Sequence, residues 1–454
     1  MSPAFRPAWA ALLLAAAATG NADARCVDED APETPASNEA AAPAPDPRAT
    51  LAGLVAEALK RSHALGASQL LAEAARSDIE EARAATALQA SATAGIGPNG
   101  QRANGITETS TLQARAGITI GQTLWDGGRS ERFVDWRTQL AESARYGQLS
   151  QQEQIALTTV SLALERSRYR STVLVWRSHV RKMGCLVEAL ETITRTDRGR
   201  ASELVQAKKS LQQAEIQLAQ TQSAVRQVDV RLRRLVGDGL PGTEGLATVF
   251  TNLPELPQLV ADAERSFDIA QLDAQISAAN RYAEAVAAGG KPQVSWSASA
   301  GVTAATGGVR PPGSYTGVNK TGSYAVGVAV NIPLLSPGLN AATDSARKRA
   351  QATALQRAEA LEARRFRVAE VHEQSQAAVD RARRTADVLR DSDQVRNFTL
   401  QQWQQLGRRS LFDVMSAEAE HYNLRVSYVN ALHDQQQLNA NLLSLGRGVL
   451  GWLR

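Results

Sequence analysis

Between Tyr324 and Leu334 the chain alternates strictly, with Tyr324, Val326, Val328, Val330, Ile332 and Leu334 on one side and Ala325, Gly327, Ala329, Asn331 and Pro333 on the other. A period of two is a β-strand. One face is greasy; the other is small or polar and carries no charge. A soluble sheet would put charges on its outer face, so this pattern fits a barrel wall better, with lipid on one side and a lumen on the other. Three more runs obey the same rule. Val294, Trp296, Ala298, Ala300 and Val302 alternate with Ser295, Ser297, Ser299, Gly301 and Thr303. Leu112, Ala114, Ala116, Ile118, Ile120 and Leu124 alternate with polar or small residues, Gln122 being the one polar residue on the apolar side. A weaker copy runs from Leu88 to Ile96. Each run has roughly the ten residues a tilted strand needs to cross the hydrocarbon layer. A soluble amphipathic hairpin would explain any one of them, but four in two pairs favour the membrane wall, with Val326, Val328, Val330, Ile332, Trp296, Ile118 and Ile120 toward lipid.

A second period governs the rest. Leu204, Ala207, Leu211, Ala214, Leu218, Thr221, Val225, Val228, Leu232 and Leu235 are spaced three and four apart, a seven-residue repeat that predicts left-handed coiled-coil packing. The same seam recurs 210 residues later, from Val414 through His421 to Leu445 (414 − 204 = 210). At ~1.5 Å per residue, an unbroken helix of some 65 residues would project on the order of 100 Å.

The two periods are arranged as a duplication. Leu54-Val55-Ala56-Glu57-Ala58 matches Leu259-Val260-Ala261-Asp262-Ala263, and Leu124 matches Leu334. Residues 50–250 and 255–450 each read helix-strand-strand-helix-helix. The first helix is expected from Leu51 to about Gln89, the segment GPNGQRANG reads as the turn between the first two strands, and TAATGGVRPPGSYTGVNKTG reads as the longer loop of the second hairpin. Leu124 and Leu334 are expected to end their strands directly before helices.

Ahead of the repeats, residues 1–24 read as a signal peptide, with Arg6 before the apolar run Ala8 to Ala18 and a small-x-small site at Ala22-Asp23-Ala24. Residues 25–49 are an acidic, then Ala/Pro-rich leader expected to stay disordered. Arg25 sits where lipid attachment at Cys26 would want a small residue, and Cys26 and Cys185 are expected to stay unpaired. No other stretch reaches the roughly eighteen consecutive apolar residues of a spanning helix, so a membrane crossing would use strands.

Composition agrees with long, closely packed helices, since only 5% of the 454 residues are aromatic. The formal charge of +4 comes from scattered arginines rather than a basic block, which gives nucleic-acid binding no support. The histidines His63, His179, His372, His421 and His433 show no metal-ligand spacing, and neither a phosphate loop nor a nucleophile elbow is present. No enzyme, cofactor or metal is expected. His421 lies on the heptad seam, where a packed side chain is the ordinary reading.

LWDGGRS and NIPLLSPGLN, each a strand end followed by a helix, together with LGRRSLFDVMSAEAEHYNLRVSYVNALHDQQQLNANLLSLG and its first-copy equivalent RASELVQAKKSLQQAEIQLAQ, resemble the TolC-like outer-membrane efflux protein family. The resemblance covers essentially residues 50–450 and rests on motif order plus duplication. It implies a mainly α chain with a β-barrel portion, in which long helices form a periplasmic tunnel and four strands per chain complete a barrel of about twelve in a homotrimer. Four strands alone cannot close, since about eight is the smallest barrel. The function it implies is an exit duct in outer-membrane lipid, for efflux or type I secretion, docking with a periplasmic adaptor and an inner-membrane transporter. The helix turns around Gly199 and Gly407 would form the closed periplasmic end, with Arg409 in the gate network and Asp413 and its counterpart Glu203 at the constriction (413 − 203 = 210). Gln404 and Ser416 depart from the family at a gate tyrosine and a second acidic ring. Ser410-Leu411-Phe412-Asp413 also fits a helix-capping box. A soluble periplasmic coiled-coil scaffold is the competing reading, and release by osmotic shock would favour it.

Overall fold

The computed structural model describes residues 46–103, 106–250, 255–306, 318–406 and 408–454. The expected signal peptide, Cys26, nearly all of the leader and Gly407 lie outside them. The element order is α1 (Pro47–Arg61), α2 (His63–Ala84), β1 (Gln89–Ala103), β2 (Ile106–Trp125), α3 (Arg129–Thr196), α4 (Ala201–Val236), α5 (Leu256–Glu264), α6 (Phe267–Ala288), β3 (Gln293–Thr306), β4 (Asn319–Asn331), α7 (Pro337–Leu406), α8 (Leu411–Leu445) and α9 (Val449–Leu453). Each repeat therefore reads helix-helix-strand-strand-helix-helix, one helix more ahead of the strands than the sequence plan had, and α9 follows the second.

Several sequence expectations need correcting. The leader ends earlier than residue 49, because the Asp46 carboxylate accepts from the Arg48 N–H at 3.0 Å and Pro47 starts α1. The first helix is not continuous, since Ser62 is extended between α1 and α2. Most of GPNGQRANG is strand, with Pro98 opposite Leu112 and Gly100 opposite Ser110. β4 stops at Asn331, so Ile332 and Leu334 lie beyond it; Pro333 has no N–H to continue a ladder. Cys185 is disulfide-bonded rather than free.

The chain forms two compact units, and each draws on both repeats. One contains His63–Gln152 and Glu264–Arg365. It holds the sheet, an antiparallel meander in the order β1-β2-β3-β4. The register puts the residues of each face in rows. Ala92, Ile118, Ala300 and Tyr324 form one row, and Ala90, Ile120, Ala298 and Val326 the next. Gln122, the polar exception on this face, donates to the Thr86 carbonyl at 3.1 Å. The junction after β2 shows why LWDGGRS has its form. Gly127 and Gly128 have φ of 71° and 83°, Asp126 accepts from the Gly128 and Ser130 N–H groups at 3.1 and 2.8 Å, and α3 begins at once. Beside it Phe133 and Trp136 of α3 pack on Tyr282 of α6, with centroids 6.2 and 5.0 Å away.

The other unit comprises the described residues up to Ser62, Glu153–Ala263 and Phe366–Arg454. The heptad seam holds here, with Ala207, Ala214, Val228 and Leu232 in the first copy and Val414, His421, Ala431 and Leu442 in the second all buried. The duplication is visible in burial as well, since Leu54 and Ala58 of α1 and their matches Leu259 and Ala263 of α5 are all buried. The linker between repeats is pinned by buried polar groups. Phe250 N–H donates to Gln436 Oε1 at 2.6 Å, Asn439 Nδ2 donates to the Phe250 carbonyl at 2.8 Å, and Ser375 Oγ donates to Asn439 Oδ1 at 2.6 Å. Arg166 reaches both Asp229 and the Pro241 carbonyl. Loop backbone brought into a core must find such partners.

Candidate functional site

Two features stand apart from ordinary packing: the helix turns at the ends of the hairpins, and the sheet. At the turns, Met183, Leu186, Val187 and Leu190 of α3, Ala207 of α4, and Leu411, Val414 and Met415 of α8 form one buried cluster, with Leu204, Leu211, Leu400 and Trp403 packed against it. Both hairpins therefore share a core just behind their turns.

The polar residues sit around that core. After α3, Asp197 accepts from the Gly199 N–H at 3.0 Å and closes a single 3-10 turn, Arg198–Arg200, before α4. Glu203, in the first turn of α4, is half-buried, and its Oε2 has no hydrogen-bond partner among the described residues. At the start of α8 the capping box is complete. Asp413 N–H donates to Ser410 Oγ at 3.2 Å, while Ser410 N–H and Oγ both reach Asp413 Oδ2 at 3.0 Å. The backbone and side-chain bonds from Ser410, with Arg409 nearby, hold the Asp413 carboxyl below the usual carboxylate range. It is ionised at neutral pH. Arg409 Nε donates to Gln402 Oε1 of α7 at 3.3 Å, so this arginine ties the turn to the preceding helix. Gln404 and Ser416 are exposed.

Sequence reasoning missed a polar layer in the same unit. Glu418 of α8 is fully buried and lies 3.8 Å from the Arg396 guanidinium of α7, itself buried and bonded to Asp393 at 2.8 Å. His179 of α3 stacks between Trp176 and Tyr422, at centroid distances of 5.7 and 4.5 Å, and burial together with the nearby His421 holds its imidazole down at about 4. The seam position of His421 was the only signal; Arg396, Glu418 and His179 look like ordinary charged or polar helix residues. Among the described residues no group of His, Cys, Asp and Glu is arranged to hold a metal ion.

On the sheet, the residues assigned to lipid share one face. Val326 pairs with Ala298, Val328 with Trp296, Val330 with Val294, and Ile118 and Ile120 face Ala300 and Ala298. That face is uncovered: Tyr324 is 89% exposed, Val326 78% and Val328 67%. Among the described residues, β1 and β4 each pair on one side only. No described helix is long and apolar enough to cross a membrane.

Residues 260–446 match the family model of the outer membrane efflux protein. Among solved structures, CusC, described as forming a transmembrane channel, superposes with a TM-score of 0.75 at 18% identity over 88% of this chain and 92% of its own. The outer membrane protein VceC of Vibrio cholerae gives 0.72 at 21% identity, over 88% and 96%. The MtrE outer membrane channel of Neisseria gonorrhoeae gives 0.72 at 18%, over 88% and 89%. A search of curated proteins finds no match. The second repeat thus matches the outer membrane efflux protein family, and the chain shares the fold of these channels along most of its length.

Proposed function

We propose that the chain is one third of an outer-membrane exit duct, a homotrimer whose strands close a barrel in outer-membrane lipid and whose helices form a periplasmic tunnel. The sheet carries this reading. Its apolar face and both outer edges are left uncovered by the described residues, a combination that invites aggregation in water. Lipid satisfies the face, and pairing β4 of one protomer with β1 of the next satisfies the edges. Four strands fall short of the roughly eight a barrel needs, whereas three copies supply about twelve.

The duct would receive cargo from an inner-membrane transporter through a periplasmic adaptor, as the family match implies. At the helix turns, Asp413 and Glu203 are assigned to the constriction and Arg409 to the network that keeps it closed. Threefold symmetry would gather three ionised Asp413 carboxylates around one axis, and like charges in a narrow throat concentrate cations. Purified protein in a planar lipid bilayer should give discrete conductance steps, blocked by multivalent cations added on the periplasmic side. A preparation that folds and inserts but never conducts would overturn the proposal.

A further inference from the structure

The polar face of the sheet is almost free of charge. Across the rows from Gln89 to Asn99 of β1 and their partners on β2, β3 and β4, the described residues of this face are Gly, Ala, Ser, Thr, Asn and Gln, with one exception. The exception is Arg115. It lies opposite Gly95 on β1 and Thr303 on β3, and Thr303 lies opposite Thr321 on β4, so its row offers no carboxylate. No acidic side chain pairs with it among the described residues. The guanidinium is nonetheless held in place: its Nε and a terminal nitrogen donate to Gln113 Oε1 at 3.1 and 2.6 Å, and the same oxygen accepts from Asn99 Nδ2 at 3.0 Å. The neighbouring glycines Gly95 and Gly117 leave the exposed cation uncovered. A fixed, unneutralised charge on an otherwise neutral wall sets the local potential.

We infer that Arg115 is a specificity-determining residue of the duct, a ring of three cations on the barrel wall that raises the local concentration of anionic solutes. The inference rests on the exit-duct reading, which places this face in the lumen and brings three copies together. Its size is bounded by geometry. About twelve strands at ~4.8 Å spacing and ~40° tilt enclose a radius of roughly 12 Å, close to the ~10 Å Debye length at 0.1 M salt. The ring therefore biases passage without gating it, shifting the permeability ratio toward anions by about twofold relative to a duct without it.

The test is the zero-current potential of single trimers across a KCl gradient in planar bilayers. At about 0.1 M salt, Arg115→Gln should move it toward cation preference by roughly twofold in permeability ratio, and Arg115→Lys should keep the wild-type value. Near 1 M, where the Debye length is about 3 Å, wild type and Arg115→Gln should converge. Placing the charge elsewhere in the row, as Thr303→Lys in the Arg115→Gln background, should restore the wild-type potential. Unchanged potential in Arg115→Gln with normal conductance would overturn the inference while leaving the duct intact. Arg115→Lys behaving like Arg115→Gln, with both trimers melting lower, would overturn it too and make Arg115 a structural clip for Gln113 and Asn99. Absence of channels in the wild type would instead remove the exit-duct reading itself.

Discussion

Val328 of β4 lies directly opposite Trp296 of β3, while its neighbour Ala329 lies opposite Ser295 on the other face. Two adjacent residues therefore test which side meets lipid. At the bilayer midplane an arginine on the lipid face costs about 2–4 kcal/mol, whereas the lumen face is wet. Val328→Arg should lower the yield of inserted trimer well below that of Ala329→Arg, measured in outer-membrane fractions. Equal insertion would reverse or abolish the strand orientation.

Arg409 bonds Gln402 across the α7–α8 turn. If that bond helps hold the turn closed, Arg409→Ala should raise single-channel conductance and make cells leakier to drugs. Conductance and leak at wild-type levels would remove Arg409 from the gate network.

Asp413 is both the N3 residue of a capping box and the assigned constriction acid, and the roles separate experimentally. Ser410→Ala removes the cap hydroxyl but keeps the carboxylate, so it should lower trimer stability by about 1 kcal/mol with multivalent-cation block intact. Asp413→Asn should abolish the block. Persistence of block in Asp413→Asn would leave this residue a cap alone.

The buried His179 gives a pH dependence. Its imidazole titrates at about 4 in the folded chain and near 6.5 when unfolded, so the unfolded state binds the proton more readily. This contribution to stability is full above about pH 6.5 and is lost as pH falls toward 4, on the order of 3 kcal/mol in all. His433, also lowered by burial, acts in the same direction. The trimer should melt markedly lower at pH 4.5 than at pH 7.5, and His179→Gln should shrink the difference. An unchanged difference would place the acid sensitivity elsewhere.

The strands were legible because a membrane wall enforces a period of two on both faces, and the α4 and α8 seams because coiled-coil packing enforces a period of seven. Their ends were less so. Pro98, Asn99 and Gly100 have turn chemistry, yet pairing with the Thr-rich start of β2 draws them into β1, the outermost strand of the chain's own sheet. Pro333 ended β4 early by a rule readable in advance. Ser410 and Asp413 announced their capping box because its partners are three residues apart. Arg396 and Glu418 could not announce theirs, because they meet only when α7 and α8 pack. Gln436 and Asn439 likewise become linker clamps only once Phe250 is brought against α8.

The central claim is that the uncovered sheet of one chain is its share of a trimeric barrel in the outer membrane. Fractionation of cells expressing the full chain tests it most directly. The account predicts protein in the outer-membrane fraction, migrating unheated as an oligomer and heated as a monomer near 48.5 kDa or slightly less after signal removal. Release of the protein by osmotic shock, as a species that migrates alike before and after heating, would contradict it.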